Sequence, residues 1–168
     1  MALTKAELIA FLQDEVRILL HLAGKIEPGM HDYRPTPTQR SVLELLRYLS
    51  MMGPVCVDIA KSGTFDVAAW NAAEAATKTR DIEQTLAAIA TQSDGYAASI
   101  GAMSEADLAA EIAPFGQAMS RGAFIVINVL SGHAAYRTQL FCYLKSCGRT
   151  DLTTSNLWNG MDPEKVSA

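Results

Sequence analysis

The amino-acid sequence predicts an all-α fold, a bundle of four long helices, on three observations. Capping-box spacings, in which a serine or threonine precedes an acidic residue by three positions, open two segments at Thr4 and Ser41. Apolar residues in these segments then recur with the 3.6-residue period of an amphipathic helix. No stretch of the sequence alternates apolar and polar residues over enough positions to indicate a strand.

The first two helices follow from these spacings. Helix one is predicted to begin at its capping box and to end at Gly24. The next stretch, KIEPGMHDYRPTPTQ, is predicted to be an extended connection because it contains three prolines, and the residue before a proline avoids the helical region. Helix two is predicted to begin after Ser41, and Gly53 with Pro54 to kink or break it.

The second half of the chain supplies the other two long helices. The alanine-rich stretch TFDVAAWNAAEAATKT is predicted to be a long crossover with partial helicity. Helix three follows the apolar series within 82–100, and a serine-capped turn then leads to helix four over about 119–147, with Gly148 as its left-handed stop. Residues 1–150 form the predicted single bundle domain, and 151–168 form a C-terminal tail.

Composition excludes several classes of protein. A net charge of -4 without clustered Lys and Arg argues against nucleic acid as a direct partner. The longest uncharged run, 122–136, is shorter than the roughly 20 apolar residues that a membrane span needs. No charged-then-apolar leader is visible, which predicts a cytoplasmic protein. Cys56, Cys142 and Cys147 lack CxxC spacing and are predicted to be reduced thiols.

Two motifs carry a family resemblance. RPTPTQRSVLELLRYL in helix two and YRTQLFCYLKSCG at the end of helix four resemble the DinB-like (DinB/YfiT) superfamily of four-helix-bundle proteins, over residues 4–148. The resemblance implies an up-down-down-up bundle, homodimers, and in many members nickel or zinc held by three histidines. It also implies a range of roles, among them thiol-dependent transferases, isomerases and hydrolases.

The three ligand positions of the family hold other residues in this sequence. The helix-two position corresponds to Tyr48, and the two helix-four positions correspond to Gly132 and Tyr136. His133 is one residue from the expected ligand and therefore about 100 degrees around the helix from it. A phenol is normally protonated at neutral pH and is a poor metal ligand. The sequence therefore predicts a degenerate metal site and no metal cofactor.

Other side chains remain candidates for a pocket in the bundle. His133 either is a core residue or lines the pocket. His21 either interacts with the helix dipole at the end of helix one or lines the pocket. Arg137 is either locked to a fixed acceptor or an anion-holding group, and Gln139 has the same two interpretations. Asp14 and Glu15, and Glu105 with Asp107, are assigned to a solvent face or a first helical turn.

Three functions therefore stay open, and the sequence does not decide whether the chain is an enzyme. The first is a DinB-like protein of unknown reaction with a small-molecule pocket, in which Tyr48 and Tyr136 face each other and His133 lines the same space. The second is a non-catalytic structural or interaction protein that acts as a homodimer. The third is a metal-dependent thiol transferase or hydrolase with His21, His133 and Cys56 as substituted ligands.

Overall fold

The structure is a computed structural model that describes residues 3–163. Nine α-helices account for most of this part of the chain: α1 Lys5–Ala23, α2 Val42–Ser62, α3 Val67–Thr77, α4 Ile82–Ala90, α5 Gln92–Gly101, α6 Glu105–Ala109, α7 Arg121–Ile125, α8 Ser131–Ser146 and α9 Thr154–Asn159. A π-helical segment, Val126–Leu130, joins α7 to α8. Two short strands, β1 Glu111–Ile112 and β2 Met119–Ser120, pair antiparallel. The predicted all-α fold is confirmed.

Four helical rods form the bundle, and polar contacts fix their directions. Lys5 Nζ, at the start of α1, donates to Met103 O, just beyond α5, so these two rods are antiparallel. Arg47 Nε in α2 donates to Arg80 O, which precedes α4, so α2 runs parallel to the α4–α5 rod. Arg121 Nε, at the start of the last rod, donates to Ala60 O near the end of α2, so these rods are antiparallel. The order is up-down-down-up.

Local sequence signals set most helix ends as predicted. Thr4 and Ser41 each accept a backbone N–H and form complete capping boxes with Glu7 and Glu44. Gly148 has a φ of 100°, a conformation that glycine adopts without the steric penalty of a Cβ. The buried apolar faces that these caps align meet in one core, whose largest fully buried side chains include Tyr96, Phe124, Leu12, Leu19, Leu22, Leu45, Leu46, Leu49, Ile89, Ile100, Ile125 and Leu140.

The sequence predicts a kink or a break at Gly53 and Pro54, and the break is wrong. Helix α2 continues through Pro54 to Ser62. Buried side chains on both sides of the proline, including Met52, Cys56 and Val57, hold the two halves of the helix in the core. Their burial outweighs the one helical hydrogen bond that proline cannot donate.

The long rods are less regular than the sequence predicts. The third rod is divided between α4 and α5 at Thr91, and the last contains the π-helical segment, which the periodicity does not reveal. The predicted crossover contains the helix α3, which packs on α2. In the predicted tail, α9 packs on α1, and residues 164–168 lie outside the described residues. Between residues 3 and 163, no helix is long and apolar enough to cross a membrane.

Candidate functional site

Two rows of side chains face each other across α2 and the last rod, and a cavity lies between them. Both rows have the i, i+4, i+8 spacing that places side chains on one face of a helix. The α2 row is Tyr48, Met52 and Cys56, and the opposite row is Asn128, Gly132 and Tyr136. The cavity has a volume of about 330 Å³. We call it the aromatic cavity, because five of the ten residues that line it are aromatic.

The aromatic residues form one connected wall. The rings of Tyr48 and Tyr136 meet edge to face with their centroids 5.1 Å apart, so the two phenols are brought together across the bundle as the family resemblance implies. Trp70 of α3 packs on Tyr48 at 6.3 Å and on Phe65 at 5.8 Å. Phe115 extends the wall beyond Phe65 at 5.1 Å. The crossover helix therefore covers the cavity from outside.

The polar groups of the cavity are uncharged at neutral pH. Burial raises the pKa of the Tyr48 hydroxyl, and the neighbouring Tyr136 raises it further. Burial also raises the pKa of the Cys56 thiol to about 11, which disfavours the thiolate and makes this sulfur a poor nucleophile. The cavity therefore offers flat apolar walls with neutral hydroxyl, thiol and amide groups.

A second, charged depression adjoins the cavity on the outer side of Tyr48. It is lined by Arg40, Glu44, Arg47, Tyr48, Glu74, Thr77 and Lys78 and has a volume of about 420 Å³. The Arg40 guanidinium carbon lies 4.0 Å from the centroid of the Tyr48 ring, within the range of a cation–π contact. We call this depression the cationic cleft. Tyr48 lines both spaces and so forms the wall between them.

His133 does not line the aromatic cavity, so that prediction is wrong. Its imidazole points into the core, where Nε2 lies 2.7 Å from the hydroxyl of Tyr96 on α5. The Tyr96 hydroxyl also donates to Gln92 Oε1 at 3.1 Å, and Gln92 Nε2 donates to Leu49 O at 2.8 Å. A position next to Gly132 is turned by about 100 degrees from it, which directs His133 away from the row that faces Tyr48.

This buried network holds His133 neutral. The Tyr96 hydroxyl has one proton, and Gln92 Oε1 can only accept, so both contacts are satisfied when His133 Nε2 carries the ring proton and donates it to Tyr96. Burial, with the nearby Arg137 charge, lowers the pKa of His133 to about 4. Among residues 3–163, His133 Nδ1 has no hydrogen-bond partner. His133 is therefore a core residue.

Arg137 is locked to a carboxylate rather than free to bind an anion. Its Nε and Nη2 donate to the two oxygens of Glu15 on α1 at 2.7 and 2.9 Å. The Arg137 and Glu15 side chains are only 5% and 13% exposed. The assignment of Glu15 to a solvent face is therefore wrong, because a buried arginine on α8 requires a carboxylate opposite it.

Gln139 and His21 also lie outside the cavity. Gln139 donates its amide to the Tyr143 hydroxyl one turn along α8. His21 packs against α9, where its Nε2 lies 3.1 Å from Asn156 Nδ2 and 3.7 Å from the Asp162 carboxylate. Neither side chain reaches the aromatic cavity, because each is held by a neighbour on the same helix or by α9.

Comparison with known proteins supports the fold. No family model matches the chain, and no curated protein sequence matches it. A solved structure that is similar is the DinB-like protein YjoA of Bacillus subtilis, with a TM-score of 0.67 over 87% of this chain and 94% of that chain. The fold is DinB-like. At 20% sequence identity, the likeness to YjoA establishes the fold alone.

The residues at the three ligand positions of a DinB-like metal site do not fit a nickel or zinc ion. Tyr48 and Tyr136 present protonated phenols, and Gly132 has no side chain. Met52 fills the neighbouring space, since a Cβ at position 132 would lie 3.1 Å from its Cε. Within the described part of the chain, no three His, Cys, Asp or Glu side chains are close enough to hold an ion. His21, His133 and Cys56, proposed as substituted ligands, are therefore not brought together.

The sequence contains one signal that the motif comparison misses. Met52 and Cys56 follow Tyr48 at the i+4 and i+8 positions, and Asn128 precedes Tyr136 by eight. Extending the rows from the two tyrosines would have found these walls. Trp70 and Phe65 carry no such signal, because they reach the aromatic cavity from the crossover, whose path the periodicity does not define.

Proposed function

We propose that this DinB-like chain binds a small, flat, largely apolar organic molecule in the aromatic cavity, without a metal at the three family positions. The observation that carries the proposal is the open space of about 330 Å³ between the Tyr48 and Tyr136 rows. Small-molecule sites are typically concave, aromatic-lined spaces of about 300–1,000 Å³ with a few polar groups. The hydroxyls of Tyr48 and Tyr136 and the amide of Asn128 are such groups.

The shape of the cavity favours a planar ligand. Edge-to-face contacts between Tyr48, Trp70 and Tyr136 leave ring faces and edges available for an aromatic guest. Neutral walls disfavour a charge inside the cavity, because burying an unpaired ion is costly whereas burying an apolar ring is favourable. The chemistry of the cavity is therefore that of recognition by packing, with hydrogen bonds from the phenols fixing orientation.

The test is fluorescence titration with the neutral dye N-phenyl-1-naphthylamine (NPN). We expect saturable binding of one dye molecule per chain. Gly132→Leu places a side chain into the cavity from α8 and is expected to weaken binding at least about tenfold. Trp70→Ala, which removes part of the outer wall from an exposed helix, is the second variant in case Gly132→Leu misfolds.

Matched controls assign the dye to this cavity. Gly95→Leu is the same substitution on α5, where a Cβ would meet nothing within 4 Å, and it should leave dye affinity unchanged. Circular dichroism establishes that each variant is folded. Binding that is insensitive to both Gly132→Leu and Trp70→Ala, or no saturable binding, contradicts the proposal.

We propose homodimerisation as a second, compatible role, because a specific surface favours it. An apolar groove of about 560 Å³ runs between the start of α1 and the α7–π segment. Leu3, Leu8, Leu108, Val126 and Ile127 are among its lining residues, and Ile127 is 54% exposed. We call it the N-terminal groove. Two-fold association through this groove would bury the same patch on both chains.

A further inference from the structure

The cationic cleft adjoins the aromatic cavity, and its arginines and lysine have hydrogen-bond donors to spare. Among residues 3–163, the guanidinium of Arg40 makes no hydrogen bond, and its one ion pair, with Glu74, is long at 4.0 Å. Arg47 directs Nε and Nη2 to Arg80 O, and its Nη1 donates no hydrogen bond to any described residue. Lys78 makes no ion pair with any described residue.

The carboxylates of the cleft do not cancel this charge. Glu44 is already engaged, since it accepts the Ser41 backbone N–H at 2.8 Å and lies 3.2 Å from Arg34 outside the cleft. Glu74 alone remains against Arg40, Arg47 and Lys78. The cleft therefore carries a net positive charge, and its planar guanidinium groups match the geometry of a carboxylate or phosphate.

Tyr48 connects this charge to the cavity. Its ring lies beneath the Arg40 guanidinium of the cleft and also contacts the ring of Tyr136, which lines the aromatic cavity. A ligand that passes Tyr48 thus meets apolar walls on one side and cations on the other. The neutral cavity disfavours an anion, whereas the half-exposed cleft pairs one with free donors.

We propose that the ligand of the aromatic cavity carries an anionic group, a carboxylate or a phosphate ester, that binds to Arg40, Arg47 and Lys78 in the cationic cleft while its flat apolar body occupies the cavity. The inference rests on the proposed function, since it needs a ligand in the cavity. It adds the chemical class of that ligand, an amphipathic aromatic anion.

A pair of dyes tests the anionic group separately from the cavity. The anion 8-anilinonaphthalene-1-sulfonate (ANS) and NPN share the anilinonaphthalene body and differ by the sulfonate. We expect ANS to bind more tightly than NPN at low ionic strength. Arg40→Met and Lys78→Met should each weaken ANS binding about tenfold and change NPN binding less than about twofold.

Lys61→Met is the matched control, because Lys61 is an exposed lysine of α2 outside the cleft, and its removal should leave the affinity for both dyes unchanged. Benzoate and phenyl phosphate serve as competitors against ANS, with benzyl alcohol as the neutral comparison. Displacement by either anion, but not by the alcohol, supports the inference, and the more potent competitor identifies the preferred anion.

The possible failures are distinguishable. If NPN binds with an affinity that depends on position 132, but ANS affinity is unchanged in both Arg40→Met and Lys78→Met, the proposed anionic group is contradicted. The cavity proposal is then unaffected. Failure of NPN to bind overturns the cavity proposal and, with it, this inference. Displacement of ANS by benzyl alcohol as readily as by the anions also overturns the inference.

Discussion

The Tyr96 hydroxyl and His133 Nε2 lie 2.7 Å apart across the core, and together they fill the space beside Gly53 on α2. A Cβ at position 53 would overlap the Tyr96 hydroxyl oxygen and lie 2.8 Å from His133 Nε2. Glycine is therefore required at position 53, because the hydrogen-bonded Tyr96 and His133 side chains occupy the space where a Cβ would lie. Three rods meet at this point, so the polar pair fixes their relative positions in an otherwise apolar core.

Gly53→Ala is expected to destabilise the protein by about 2–4 kcal/mol, because overpacking displaces Tyr96 and breaks its hydrogen bond to His133. The free energy of unfolding in urea measures the effect. Gly95→Ala is the control, since position 95 is also in a helix and its Cβ would meet nothing within 4 Å. There we expect a gain of up to about 1 kcal/mol from helix propensity. Equal effects at both positions would contradict the close approach at Gly53.

The low pKa of His133 makes the stability of the fold depend on pH. In the unfolded chain this imidazole binds a proton near pH 6.5, and in the folded chain only near pH 4. The unfolded state therefore binds more protons between these values, and stability falls as the pH falls below 6.5. We expect a loss of roughly 2 kcal/mol between pH 7.5 and pH 5 from this residue.

Urea unfolding across that pH range, compared between the wild-type chain and His133→Gln, isolates this contribution. Carboxylates and His21, whose pKa is also lowered by burial, contribute to both proteins and cancel in the difference. The variant should show a shallower loss of stability on acidification, whatever its stability at pH 7.5. Parallel curves for the two proteins would show that His133 is not buried as a neutral ring.

We expect the stability of the fold to depend strongly on the Arg137–Glu15 pair, because removing one partner leaves the other as a buried, unpaired charge. Glu15→Gln leaves a buried guanidinium without its counter-charge, and we expect it to lower the unfolding free energy by about 3–5 kcal/mol. Asp14→Asn is the adjacent control, since Asp14 pairs with Arg17 where the two side chains are 53% and 52% exposed. It should cost less than about 1 kcal/mol. Comparable losses at the two sites would contradict the buried pair.

The helix ends were predictable because their signals are local. Capping boxes act within three residues. The pairing of Tyr48 with Tyr136 is instead expected from the family resemblance, which places both residues at ligand positions that face each other. Glu15, the partner of Arg137, is 122 residues away in sequence, and no local pattern at either residue indicates the pairing. Tyr96, the hydrogen-bond partner of His133, likewise lies on a different rod, and no local signal indicates this pairing.

Metal content is expected to reflect the substituted ligand positions. After dialysis, the wild-type chain should retain no stoichiometric zinc or nickel, measured by elemental analysis, because Tyr48, Gly132 and Tyr136 offer no neutral imidazole. The variant Tyr48→His, Gly132→His, Tyr136→His should gain one zinc ion per chain. Met52→Ala in the same variant makes room beside position 132.

Two outcomes would contradict this expectation. One metal ion per wild-type chain that survives a mild chelator would mean that other residues hold it. Failure of the folded three-histidine variant to bind zinc would mean that the Tyr48 and Tyr136 rows do not share the ligand geometry of the family, although their rings meet at 5.1 Å. The variant lacking only the Tyr48→His change should bind zinc more weakly, since it supplies two of the three ligands.

Homodimerisation through the N-terminal groove is expected to respond to one charge. Light scattering at micromolar concentration should give twice the 18.1 kDa chain mass for the wild-type protein. Ala123→Glu places a carboxylate in the groove, at the third residue of α7, where it also completes a capping box with Ser120. The helix is thereby stabilised while the interface receives an unpaired charge, so we expect a folded monomer.

Ala98→Glu is the control for this interface, because it adds the same charge on the exposed side of α5, away from the groove. It should leave the dimer intact. A monomeric wild-type chain would contradict self-association, and a dimer that survives Ala123→Glu would move the interface to another surface. NPN affinity should be unchanged in Ala123→Glu, because the N-terminal groove and the aromatic cavity share only Ile127 among their lining residues.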